Sequence, residues 1–178
     1  MILLIVFLAT SRLAFAQTFT LKSADLGGQF TNELVAGNFG CNGDNLSPQL
    51  SWTNPPAGTK SFAITMYDPD APTGSGFWHW VLVDIPSSVT QLKAGAGNVN
   101  LKLAPAGSLQ SINDTGMPGY QGPCPGQGEA PHSYVITVYA LNTDKLGAPP
   151  KASAALTGFM LNKATLAKAS LIAYCGRK

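Results

Sequence analysis

At 178 residues the chain suits one domain with a sizeable core. A formal charge of +2, with no basic run and no interleaved basic and aromatic residues, excludes a partner held by charge alone, such as nucleic acid or an anionic membrane. Charged residues make up only 11%, and 19 glycines and 13 prolines imply many turns and long connections.

The first segment reads as a leader. Ile2 to Ala9 is wholly apolar, and Ala14-Phe15-Ala16 places small residues where a signal peptidase reads them. The expectation is a signal peptide over residues 1–16, cleaved before Gln17, with 17–178 forming a single domain of an exported protein, periplasmic or secreted. No Lys or Arg precedes the apolar run, which departs from the usual pattern. The rival, a membrane anchor, needs roughly 20 apolar residues, more than this run supplies.

Thr18-Phe19-Thr20-Leu21-Lys22 alternates and predicts a half-buried strand. Residues 24–45 read as loop, with a short strand expected near Glu33-Leu34-Val35. Leu50-Ser51-Trp52 predicts another short strand before the turn Asn54-Pro55-Pro56-Ala57-Gly58. The runs 61–67 and 77–85 are apolar on both faces and predict central strands of a sheet covered on each side. Between them lies Asp68-Pro69-Asp70-Ala71-Pro72, an acidic turn with two prolines that fix φ and restrict their predecessors. Its Ala71–Pro72 bond is a candidate for the cis isomer.

Residues 86–131 are irregular, and a loop of that length in a compact domain is more often functional than idle. Val135 to Leu141 predicts a further buried strand. Ala152 to Lys163 predicts a helix capped by Ser153, with Leu156, Phe159 and Met160 at helical spacing. Ser170 to Tyr174 closes the chain as a strand. The sum is a mostly β domain with few helices.

Three cysteines in an exported chain predict one bridge and one leftover thiol. Cys41 and Cys124 both lie in Gly- or Pro-rich loops and form the expected pair. Cys175 ends an apolar run and reads as a small buried hydrophobe.

The only two histidines, His79 and His132, each open a predicted strand. If those strands are neighbours, two imidazoles and the carboxylates of Asp68 and Asp70 converge at one sheet end. Imidazoles supply N–H donors, an aspartate on the other ring nitrogen fixes the tautomer, and backbone amides around Tyr120-Gln121-Gly122 would form a donor nest. That combination suits a small oxyanion, with Tyr120 and Tyr134 at the rim.

Asp68-Pro69-Asp70-Ala71-Pro72, His79-Trp80, Gly119-Tyr120-Gln121-Gly122-Pro123-Cys124-Pro125 and Pro131-His132-Ser133-Tyr134 together resemble the signature blocks of the phosphatidylethanolamine-binding protein family. Gly43-Asp44-Asn45-Leu46-Ser47-Pro48 and Pro56-Ala57-Gly58-Thr59-Lys60-Ser61 resemble its bacterial, Raf-kinase-inhibitor-like branch. The resemblance implies a central antiparallel β-sheet packed on a smaller sheet, with a few peripheral helices and an anion pocket at one end. It carries pocket roles onto Asp68, Asp70, His79, Gly122, Pro123, His132 and Tyr134, and a cis bond onto Ala71–Pro72. Ser133 stands where the family usually has Arg, Thr115 where it has Phe, and Gly126 where proline is common.

The reading is therefore a binding module for a phosphate-type anion or phospholipid headgroup, with no catalytic residue, metal or cofactor. A protein partner and a homodimer both stay open. The rivals are a hydrolase or metal enzyme using His79, His132 and Asp70, and a protease-inhibitor-type binder acting through exposed loops. A serine triad lacks support, since there is no Gly-x-Ser-x-Gly and Ser75 lacks a strand-turn-helix setting.

Overall fold

The structure is a computed structural model and describes residues 17–149 and 151–177. The leader expected over residues 1–16 lies outside the described residues. In chain order the elements are β1 (Thr20–Lys22), β2 (Leu50–Thr53), β3 (Ser61–Asp68), β4 (Phe77–Pro86), β5 (Gln91–Leu92), β6 (Leu109–Gln110), β7 (His132–Leu141), α1 (Ala154–Ala164) and β8 (Thr165–Cys175).

They build two antiparallel sheets. The larger has the order β6-β4-β3-β7-β8 and the smaller β1-β2-β5. Side chains alternate along a strand, so β3 serves two cores. Phe62, Ile64 and Met66 point with Trp80, Leu82, Ile136 and Val138 towards Leu21, Leu50, Trp52 and Leu92 of the small sheet. Ala63 points the other way, with Val81, Val83, Tyr139 and Leu141, against Ala154 and Leu161 of the helix. This double covering is why the strands 61–68 and 77–86 read as continuous apolar runs.

Four local expectations need correction. Glu33-Leu34-Val35 is a turn, not a strand. The N–H groups of Leu34 and Val35 donate to the carbonyls of Thr31 and Asn32, while the Leu34 side chain is still buried. The helix forms where expected, and Ser153 Oγ accepts from Leu156 N–H at its start. It turns a different face inward, however. Ala154, Thr157 and Leu161 are buried and Met160 packs partly against the same core, whereas Leu156 and Phe159 are exposed. Lys163 covers Phe159 at 4.5 Å instead.

The last strand is also longer than its apolar tail, because it pairs with β7 along nearly its whole length, from Thr165–Leu141 to Cys175–His132. Backbone pairing is indifferent to the Lys and Ser side chains that hid the rest. Finally, the Ala71–Pro72 bond is trans. The turn closes without the cis form: Asp68 Oδ1 accepts from Asp70 N–H at 2.8 Å, and Thr73 N–H donates to Ala71 O at 2.7 Å. Trans is also the intrinsically favoured X–Pro isomer.

Candidate functional site

Strand order assembles the site. β3 lies between β4 and β7, with Asp68 paired to Phe77 on one side and Tyr67 to Val135 on the other. Asp68 at the end of β3 therefore stands between His79 near the start of β4 and His132 at the start of β7. All three are buried.

One carboxylate oxygen links both rings. Asp68 Oδ2 accepts from His132 Nδ1–H at 2.8 Å and lies 3.9 Å from His79 Nε2. Its other oxygen is held by the Asp70 amide, so the carboxylate cannot rotate without giving up a bond. His79 Nδ1–H donates to the Gln121 carbonyl at 2.8 Å, which fixes its tautomer. Burial pushes the His79 imidazole below its ordinary value of 6.5, although the Gln121 carbonyl and the charges of Asp68 and Asp114 act in the opposite direction. Tyr134 packs edge-on to His79 at 5.2 Å. Burial, helped by the Asp68 charge, pushes its hydroxyl far above the usual tyrosine range, so it is a neutral wall.

Around this trio lies a cavity of about 340 Å³. Of the residues expected to form the pocket, Asp68, His79, Gly122, His132 and Tyr134 line it, and Asp70, Tyr120 and Pro123 do not. Asp70 faces away. Ser133 Oγ–H and N–H both donate to its Oδ2, at 2.6 and 2.7 Å, and hold its carboxyl below the ordinary 3.8. Ser133, read as a lost positive charge, is thus the partner of Asp70. Tyr120 is buried behind the wall. Its hydroxyl donates to Leu34 O at 2.8 Å, and burial pushes its pKa upward. Pro123 supports the wall through its carbonyl, which accepts from Ala36 N–H.

The expected donor nest is not available. Tyr120 N–H donates to Gly97 O, Gln121 N–H to His79 O, and Gly122 N–H to Asn45 Oδ1 at 2.7 Å. Those amides hold the loop in place instead of facing a ligand. Gly122 is needed for that packing, since an added Cβ would lie 2.5 Å from Ala36 N and 2.6 Å from Leu34 O.

The second wall is the loop 121–129, facing Phe39 and the acidic turn. The Cys41–Cys124 disulfide forms as expected and fastens it to the 37–43 loop; Cys175 is free and buried. Arg177 reinforces the junction, donating to Gly40 O at 2.7 Å and receiving the Gly128 N–H on its own carbonyl. The reading of the sequence missed several residues of the cavity, among them Phe39, Phe77 and Glu129. Phe39 is an exposed aromatic, the Phe77 ring lies tilted against His79 at 4.8 Å, and Glu129 lies 3.3 Å from His132 Nε2. The signal for Glu129 was present: an acid three residues before a site histidine, in a glycine turn.

The family model for phosphatidylethanolamine-binding proteins matches residues 22–176, and the chain belongs to that family. YbcL of Escherichia coli strain K12 is 46% identical over 165 residues, covering 93% of this chain and 90% of YbcL. YbhB of the same organism is 45% identical over 155 residues, covering 86% of this chain and 97% of YbhB. The putative lipoprotein LppC of Mycobacterium tuberculosis is 34% identical over 134 residues, covering 75% of this chain and 62% of LppC. The crystal structure of E. coli YbcL, described as a new member of the mammalian PEBP family, superposes with a TM-score of 0.87 over 90% of this chain and 99% of that one.

Proposed function

We propose that this protein binds a small oxyanion, of the phosphate or phospholipid-headgroup kind, in the cavity between β3, β4 and β7, without catalysing a reaction. One observation carries the reading: two buried imidazoles, 53 positions apart in sequence (132 − 79), share a single carboxylate oxygen at the wall of one cavity. In each ring the Nδ1–H already has a protein acceptor, so Nε2, which faces a carboxylate at 3.9 Å in His79 and 3.3 Å in His132 without a hydrogen bond, is the nitrogen left for a ligand. Protonated, Nε2 donates a charge-assisted hydrogen bond to an anion; neutral, it accepts from a protonated one. The apolar flanks Phe39, Phe77 and Pro72 suit the carbon portion of an esterified phosphate.

The non-catalytic part rests on what lines the cavity. Cys124 is tied up in the disulfide, the Thr73 hydroxyl donates to Gly76 O, and Tyr134 is held neutral. None of them is an activated nucleophile beside a free base. Export fits the disulfide, which persists in oxidising compartments, and a relative is named a putative lipoprotein.

The test is a titration of the two histidine side chains by NMR with inorganic phosphate, then with glycerophosphoethanolamine. Saturable shifts at both rings, lost in the folded His79→Ala and His132→Ala proteins, are expected. Tighter binding of the ester assigns the headgroup, and tighter binding of phosphate the free ion. Silence at both rings overturns the reading.

A further inference from the structure

The ring nitrogen that an anion needs from His132 already faces a carboxylate. Glu129 Oε2 lies 3.3 Å from His132 Nε2 and accepts the Gly126 N–H at 2.8 Å. We infer that Glu129 is a built-in competitor for the anion site, a carboxylate that rests on the imidazole and amide donors and must swing aside before a ligand can take them. This rests on the oxyanion reading above and adds what regulates it.

The turn is shaped for this task. Glu129 N–H returns to Gly126 O, and Gly128 N–H donates to Arg177 O, so the backbone from 126 to 129 is anchored and the side chain is the part free to move. That side chain is 43% exposed, so water receives it when it leaves. Gly126 is the second half of the device. An added Cβ would lie 2.6 Å from the Glu129 carboxyl carbon and 2.7 Å from one of its oxygens. Only a residue without Cβ leaves room for the carboxylate there, and only one with a backbone N–H can hold it.

Oε2 stands 3.3 Å from Nε2, in the space that a ligand oxygen bonded to that nitrogen would need. Two negative groups side by side in a half-enclosed cavity also repel more strongly than in water. Displacing Glu129 therefore releases a matched pair of donors, one imidazole and one amide. It also supplies the backbone donor that the consumed amides of 120–122 do not. The consequence is selectivity: an anion that makes two or more hydrogen bonds replaces Glu129, and a monodentate one does not.

The experiment compares the wild-type chain with Glu129→Gln, which keeps the shape and removes the charge, and Glu129→Ala, which removes the group. Inorganic phosphate is titrated against each, with the Gly126 amide and both histidine rings followed by NMR. Phosphate should move the Gly126 amide in the wild type as its carboxylate partner is exchanged. Both variants should bind phosphate roughly tenfold more tightly, the scale of one charge-assisted hydrogen bond no longer given up. Equal or weaker binding in the variants, with both histidine shifts retained, overturns the competitor and leaves the anion pocket standing. Absence of histidine shifts in all three proteins sinks the pocket and the competitor together.

Discussion

The two walls of the cavity are made in different ways. The strand wall, with Asp68, His79, His132 and Tyr134, is set by β-sheet register. The loop wall, from Gln121 to Glu129, has no ladder and is positioned by cross-links. These are the Cys41–Cys124 bridge, the Arg177 contacts, the Asn45–Gly122 bond and the amide pair of Asn38 and Gln121. A wall built on register moves only if the sheet unfolds, whereas one built on cross-links can loosen with the sheet intact.

The largest test strikes the strand wall from behind. Trp80 follows His79, is fully buried in the inter-sheet core, and donates Nε1–H to Gln110 Oε1 at 2.8 Å. Trp80→Ala should cost about 3–5 kcal/mol in chemical denaturation, the range for emptying a large aromatic site. The loop wall should yield next. Cutting a bridge that spans 83 positions, by Cys41→Ser with Cys124→Ser, should cost about 2–5 kcal/mol. The comparison is sharpened if this double variant loses order in 121–129 by hydrogen exchange while β3, β4 and β7 stay protected. Equal loss in both walls would show that they are one unit.

A smaller effect comes from pH. His79 is depressed by burial, so above its ordinary value of 6.5 folded and unfolded chains are both neutral there and nothing is lost. As pH falls below that value the unfolded chain takes the proton first, and stability declines until the pH passes through the folded value. Sulfate, which does not titrate in this range, should bind more tightly over the same interval if it holds the protonated ring, and should blunt the decline. His79→Ala should remove that component of the slope in urea titrations read at successive pH values.

The smallest change is expected at Asp70. Its carboxylate serves Ser133 outside the cavity, so Asp70→Asn should leave phosphate affinity within error while Asp68→Asn weakens it. Equal losses would return Asp70 to the binding set.

Much of the strand wall was legible in the chain. Runs of residues apolar on both faces name central strands, and a polar or acidic residue ending such a run can only sit at a sheet end. That is how Asp68, His79 and His132 stood out. Their neighbours did not separate so cleanly. Asp68 and Asp70 look alike in an acidic turn, yet one is buried between two imidazoles and the other is turned outward to a serine. Tyr120 and Tyr134 each stand within two residues of a glycine or a histidine, yet only Tyr134 meets the cavity. The helix face was misread for the same reason. Hydrophobic spacing gives a periodicity, and the packing of Ala154 and Leu161 against Val81, Val83 and Leu141 decided which stripe was covered.

Local chemistry in the chain thus determined the sheet-rich class, the expectation of one disulfide, and the presence of two imidazoles near acids, because alternation, ring constraint and cysteine number act over short distances or by count. Only the tertiary structure decided which acid meets which ring, that the amides of 120–122 are already consumed, and that Glu129 lies on His132. Those facts depend on the direction of single side chains and the occupancy of single hydrogen bonds. Both are fixed by which strands and loops come to lie beside one another, not by the order in which they are joined.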